Sequence, residues 1–153
     1  MGLSARGTRY AILGAVIRTL LPDDLAAVMD IWLSANLEAH SFILSAFFTE
    51  RFEEVSSAIA GAEVYVFDDG DVRGFVGLQD SYVAGLFVRS DSRGKGIGQA
   101  LLAHAVSVKG KLSVQVFARN ERAMLFYLKN GFVPLSSAEN EDAGENEVLL
   151  VRG

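Results

Sequence analysis

Apolar positions along the chain follow one period and then another, and each change marks an element. "AVIRTLL" (15–21) is a short apolar run closed by Pro22 and predicts a strand. Asp23 and Asp24 then supply helix-start chemistry for "LAAVMDIWLSANL", because a carboxylate satisfies first-turn N–H groups that lack an intrahelical partner. "SFILSAFFTERFEEVSSAIAG" (41–61) predicts a second helix, stopped by Gly61. "EVYVF", the turn "DDGD" and "VRGFVGLQ" form a hairpin signal, and "SYVAGLFV" adds a third strand. The helix "QALLAHAVSV" follows. The remainder reads as strand "KLSVQVFA", helix "ERAMLFYLKN", strand "FVPLSS", a polar loop and strand "EVLLVR".

The predicted order is therefore β-α-α-β-β-β-α-β-α-β-β. A run of antiparallel strands gives way to a β-α-β unit, which requires a parallel pair. The fold class is α/β: a mixed sheet with helices on its faces. Neither a repeat nor a linker interrupts it, so residues 15–153 are expected to form one domain. The run "YAILGAVI" behind Arg6 and Arg9 is too short for a secretory leader, is broken by Gly14 and lacks a cleavage signal. Residues 1–14 are read as an extension or misassigned start, expected to be disordered.

Composition narrows the function classes. Nineteen acidic against 14 basic side chains give a net charge of −5, which argues against nucleic acid as the main partner. Without cysteine, thiolate metal sites and a cysteine nucleophile are excluded. His40 and His104 are too far apart for a metal motif, so no metal is expected. His104 shares a helix face with Leu101 and Val108 and reads as structural. With no transmembrane-length segment, a cytoplasmic protein with no membrane partner is expected.

The chemistry concentrates in "RGKGIGQALL" (93–102), between a strand and a helix. Unpaired N–H groups at a helix start and the helix dipole favour an anion there, and Arg93 and Lys95 add positive charge. A pyrophosphate suits this loop. It matches neither the Walker loop nor the dinucleotide fingerprint, whose third glycine would fall on Gln99.

The pattern R-G-K-G-I-G directly after "LFVRSDS" resembles the GNAT superfamily of acetyl-CoA-dependent N-acetyltransferases. "ARNERAMLFYLKNGF" is similar to that family's second signature: an Asn, seven residues to a Tyr, then Gly-Phe. "IWLSANLEAHSFI" is similar to a stretch in small bacterial members that acetylate protein amines. The likeness spans roughly residues 16–151. It implies a sheet of about seven strands with a bulged, splayed strand pair.

The resemblance also implies a set of site residues. Arg93, Gly94, Lys95, Gly96, Ile97 and Gly98, with Gln99 at the edge, would hold the pyrophosphate of acetyl-CoA, and a Cβ at Gly94, Gly96 or Gly98 would crowd it or strain the chain. Leu86, Phe87 and Val88 would carry the pantetheine arm as an added strand, with the Val88 N–H as oxyanion donor. Tyr127 would donate a proton to the leaving sulfur; its alternative is a core aromatic on an amphipathic helix. Asn120 would touch the coenzyme arm, and it is equally a natural N-cap.

The general base is where this chain departs from its relatives. Gln115 stands where ribosomal-protein acetyltransferases can have Glu, and an amide takes no proton at neutral pH. Glu38 and His40 border the acceptor site in family geometry and are the substitute candidates. His40 is alternatively a cap for a helix starting near Ser41. The loop "SAENEDAGENE", with Glu139, Glu141, Asp142, Glu145 and Glu147, would overhang the acceptor cleft and draw in a cationic amine, or is simply solvated. The implied activity is acetyl transfer to an amine of a protein or small molecule by a monomer or homodimer. The rival is an idle acetyl-CoA-binding sensor or regulatory module.

Overall fold

In the computed structural model, residues 8–10 and 14–153 are described. Among these residues, eight strands make one mixed sheet: β1 Thr8–Tyr10, β2 Ala15–Thr19, β3 Glu63–Asp68, β4 Val72–Gln79, β5 Tyr82–Val88, β6 Leu112–Phe117, β7 Val133–Asn140 and β8 Glu145–Arg152. Their spatial order is β1-β2-β3-β4-β5-β6-β8-β7. The β5–β6 pair is parallel and the other neighbours are antiparallel. The crossover between β5 and β6 is a helix, α4 (Ile97–Lys109), as a parallel pair demands.

The expected extension at 1–14 falls largely outside the described residues. Within it, Thr8–Tyr10 pairs with β2 as an edge strand, Thr8 opposite Ile17 and Tyr10 opposite Ala15. That pairing is the eighth strand.

Side-chain alternation divides the sheet between two cores. Val64, Val66 and Phe75 face α1 (Leu25–Ala39) and α3 (Phe52–Ala60), with Val28, Met29, Ile31 and Ile59 packed on them. Val76, Leu78, Val83, Leu112, Val114 and Val116 point the other way, toward Ile97, Leu101 and Leu102 of α4 and Tyr127 of α5 (Glu121–Lys129). Neighbours such as Phe75 and Val76 thus serve opposite layers, as period two requires.

Asp24 lies in a single 3₁₀ turn, Pro22–Asp24, ahead of α1. Its Oδ2 accepts the Leu21 N–H at 2.7 Å and a second bond from Arg18 at 2.7 Å, while Oδ1 accepts from Arg18 at 3.0 Å. Arg18 also donates to Asp68 at 3.1 Å, which ties β2, β3 and the start of α1 together.

Two expectations are corrected. The helix foreseen over 41–61 is split into α2 (Ser45–Thr49) and α3. Leu44 is extended, and the break at Glu50–Arg51 lets Phe48 bury against Trp32 and His40. Arg51 secures the bend by donating to the Phe47 carbonyl at 2.8 Å, its guanidinium 3.9 Å from the Phe47 ring centroid. The polar loop is a hairpin: β7 runs on to Asn140 and β8 begins at Glu145, pairing Glu139 with Asn146 and Asn140 with Glu145. Cross-strand backbone bonds outweigh the low strand propensity of its side chains.

Candidate functional site

The sheet opens where β5 and β6 part. They pair at Tyr82–Ser113 and Val83–Val114 and diverge beyond. β5 stays with β4 as far as Val88, after a bulge at Gly77/Leu78. The Arg89 N–H reaches the Arg73 carbonyl at 2.8 Å. Alternation along an antiparallel ladder then turns Phe87 toward β4, and turns the N–H and C=O groups of Leu86 and Val88 toward the gap. Of the three residues expected to receive a coenzyme arm, two present their backbone to the gap; the Phe87 ring packs on Phe75, centroids 5.5 Å apart.

Two helices begin at this end of the gap, α4 after the glycine loop and α5 after Asn120. Gly94 and Gly96 have φ of +75° and +81°, a conformation side chains rarely adopt, and a Cβ on either would meet nothing within 4 Å. The demand there is conformational, with open space in front of the loop. Gly98 differs: its backbone is ordinary, and a Cβ would sit 3.5 Å from Phe126 and 3.7 Å from Leu86. The loop thus offers the N–H groups of a helix start behind an open face, which fits a pyrophosphate. Lys95 and Gln99 are exposed and Ile97 is buried beneath the loop.

Arg93 is ion-paired with Glu38 at the end of α1. One candidate base is thereby tied to a candidate phosphate ligand. A cavity of about 510 Å³ lies beside this pair, between Ile31, Ser34 and Ala35 of α1 and Val88, Arg89 and Asp91.

Tyr127 is 5% exposed, between Phe126 and Phe132 with ring centroids 5.1 Å from each. Burial, then the nearby Tyr82, raises its phenol well above the ordinary value, so it stays protonated. Tyr127 is thus a core aromatic whose phenol keeps its proton. Tyr82, which the sequence reading missed, donates to Gln115 Oε1 at 3.0 Å. Burial and then Glu147 raise the Tyr82 phenol as well. Tyr127, Tyr82, Gln115 and Glu147 therefore form one electrostatic neighbourhood.

Asn120 does cap α5, its Oδ1 accepting from the Ala123 N–H at 3.1 Å. Its Nδ2 lies 2.9 Å from His40 Nε2. His40 caps no following helix; it is the C-cap of α1, and burial pushes its imidazole down to about 4. A role as base near neutrality finds no support in that environment. His104, half-buried against Tyr65 with ring centroids 4.5 Å apart, is structural in setting, whereas Val108 beside it is exposed. Among the described residues, no helix is long and apolar enough to cross a membrane, and no group of three or more His, Asp or Glu could hold a metal ion.

The comparisons with known proteins agree with this geometry. Residues 60–134 match the family described as Acetyltransferase (GNAT) domain. The chain is 33% identical over 122 residues to peptidyl-lysine N-acetyltransferase YjaB of Salmonella typhimurium, covering 78% of this chain and 84% of that protein. It is 29% identical over 120 residues to peptidyl-lysine N-acetyltransferase YiaC of Escherichia coli, covering 76% and 82%. The solution structure of apo YjaB from Escherichia coli superposes with a TM-score of 0.80 at 27% identity, covering 90% and 96%. With its signature loop, its splayed strands and these relatives, the chain belongs to the GNAT acetyltransferase family.

Proposed function

We propose that this protein moves an acetyl group from acetyl-CoA directly to a primary amine, and that lysine side chains of proteins are its acceptors. The observation that carries the reading is the gap between β5 and β6, with Leu86 and Val88 backbone groups on one side and the buried, protonated Tyr127 close enough to Tyr82 of β5 to feel its phenol. The lysine assignment draws on the relatives, which are named as peptidyl-lysine N-acetyltransferases.

The loop Arg93–Gln99 would hold the pyrophosphate, and Leu86 and Val88 the arm; acetyl-CoA supplies an activated acyl thioester. The remaining work falls to this chain. The Val88 N–H, turned to the gap, would stabilise the oxyanion. A C–N bond forms from the neutral amine and the C–S bond breaks; the amine loses a proton and Tyr127 gives one to the departing sulfur. Gln115 contributes no base, so the amine must arrive neutral or lose its proton to water or another group. The setting is taken to be the cytoplasm.

Gln115 also favours a second reading, an acetyl-CoA-binding module with little turnover. Steady-state release of free coenzyme A with a panel of lysine peptides, peptide N-termini and small amines separates the two. Turnover that depends on a lysine peptide and yields the acetylated peptide is expected. Coenzyme binding without turnover on any amine would replace the transferase with the sensor.

A further inference from the structure

A chain of side-chain amides and one imidazole runs between the two helical layers. The Ala123 N–H donates to Asn120 Oδ1 at 3.1 Å, and Asn120 Nδ2 reaches His40 Nε2 at 2.9 Å. His40 Nδ1 lies 3.0 Å from Asn36 Oδ1, and Asn36 Nδ2 donates to the Trp32 carbonyl at 2.8 Å. The ends fix the direction. Asn120 Oδ1 is held by a backbone N–H, so its nitrogen faces His40, and an amide nitrogen only donates. Nε2 must therefore accept, Nδ1 must carry the hydrogen, and every bond points from α5 to α1.

The ring is enclosed. Phe117 and Phe42 meet it edge-on at 5.0 and 5.7 Å, and Phe48 stacks at 5.8 Å. Its hydrogen-bond partners among the described residues are Asn36 and Asn120. Glu38, two residues away, is turned to Arg93, and the Arg119 guanidinium lies over the Phe42 ring, 4.8 Å from its centroid. A packing residue would need neither nitrogen; here both are used, in one tautomer.

We propose that His40 is a positioning residue, whose Nε2 acceptor fixes the amide of Asn120 and so aims its second N–H at the coenzyme arm while anchoring the start of the helix that carries Tyr127. This rests on the transferase reading of Asn120 and Tyr127. The sequence spacing holds the clue: Asn36 and His40 are four apart on one helix face, and Asn120 caps the helix whose second turn bears Tyr127.

The test combines a mutant cycle with a spectrum of the free protein. His40→Phe keeps the aromatic packing and removes the acceptor; His40→Gln returns an oxygen near the Nε2 position. His40→Phe is expected to weaken acetyl-CoA binding about 3- to 10-fold, the scale of one buried hydrogen bond, with a smaller change in kcat at saturation. His40→Gln should recover most of the affinity. His40→Phe added to Asn120→Ala should cost nothing beyond Asn120→Ala alone; additive losses would show that His40 does not act through Asn120 and overturn the proposal. Nitrogen NMR of the ligand-free wild type should show a neutral ring protonated at Nδ1 at pH 6, and an Nε2-protonated or cationic ring would overturn it even if the variants fail to fold. Wild type that binds no acetyl-CoA would sink the transferase reading and this role with it; wild-type binding left unmoved by His40→Phe sinks this role alone.

Discussion

The phenol of Tyr82, in the first paired position of β5, donates at 3.0 Å to the side-chain oxygen of Gln115, the residue of β6 just past the last pair before the strands separate. That bond commits the Gln115 oxygen and turns its NH₂ to the opposite side. A glutamate would keep an acceptor for Tyr82 and add a charge. Gln115→Glu is expected to leave turnover equal or higher between pH 7 and 8, measured as free coenzyme A released. A large loss with acetyl-CoA binding intact would mean that the amide N–H holds the acceptor or a water.

Coenzyme binding is the next prediction. Acetyl-CoA at about a hundred times its Kd should stabilise the fold by roughly 2.7 kcal/mol, read as a rise in Tm. Gly96→Asp should abolish most of that rise. Aspartate tolerates a φ of +81° better than most side chains, so the fold should survive while a carboxylate faces the pyrophosphate. A full shift retained in Gly96→Asp would remove the loop from the coenzyme site.

Tyr127→Phe keeps the packing with Phe126 and Phe132 and deletes the hydroxyl. As the acid for the leaving sulfur, Tyr127 should account for about 10²-fold or more in kcat, with acetyl-CoA affinity nearly unchanged. An unchanged kcat in a folded variant would leave Tyr127 as a core aromatic alone.

What the sequence disclosed and what it withheld have physical causes. The glycine loop and the Asn120–Tyr127 spacing were legible because each is local: a short run of residues meets one geometric demand. The antiparallel run and the parallel pair at the sheet centre followed from hairpin and crossover rules. Contacts joining distant segments were not legible. Nothing in "NLEAHSF" says that His40 meets Asn120, 80 residues on, or that Glu38 meets Arg93. Tyr82 was missed for the same reason, since its partner Gln115 lies on another strand. The break at Glu50–Arg51 was hidden by an unbroken apolar pattern, and the acidic hairpin by the polarity of its side chains.

Arg18 and Asp24 should dominate acid stability at the α1 end of the sheet. Bonding to the Arg18 guanidinium holds the Asp24 carboxyl below its ordinary value, against the opposing effect of burial. A carboxylate depressed in the folded state contributes stability that is complete above about pH 4 and is lost as pH falls through the folded value. Asp24→Asn should cost about 2–3 kcal/mol at pH 7, because a charged hydrogen bond is lost and Asp68 is left as the carboxylate paired with Arg18. The gap between variant and wild type in urea unfolding should narrow below pH 4. A constant gap across that range would show that the carboxylate charge is not what Asp24 supplies.

The last prediction concerns His40 and opposes two pH effects that a base role would merge. A catalytic His40 would place an inflection near pH 6 to 7 in the rate, where a free imidazole titrates. Burial instead pushes this ring down to about 4, and its Nε2 lone pair is spent on Asn120. The rate should therefore rise with pH along the acceptor's own titration and move when the acceptor amine is changed, with no break at pH 6 to 7. Stability should carry the signature of His40 instead. The unfolded chain binds a proton at about pH 6.5 and the folded chain only near 4. Stability is then complete above about 6.5 and falls as pH drops toward 4, by on the order of 2–3 kcal/mol from this residue. His40→Phe should flatten that decline in urea unfolding between pH 7 and 4 and leave the pH–rate profile at saturating acetyl-CoA unchanged in shape. A rate inflection near pH 6.5 that His40→Phe abolishes would show that the ring is protonated during turnover, and would restore His40 as the base.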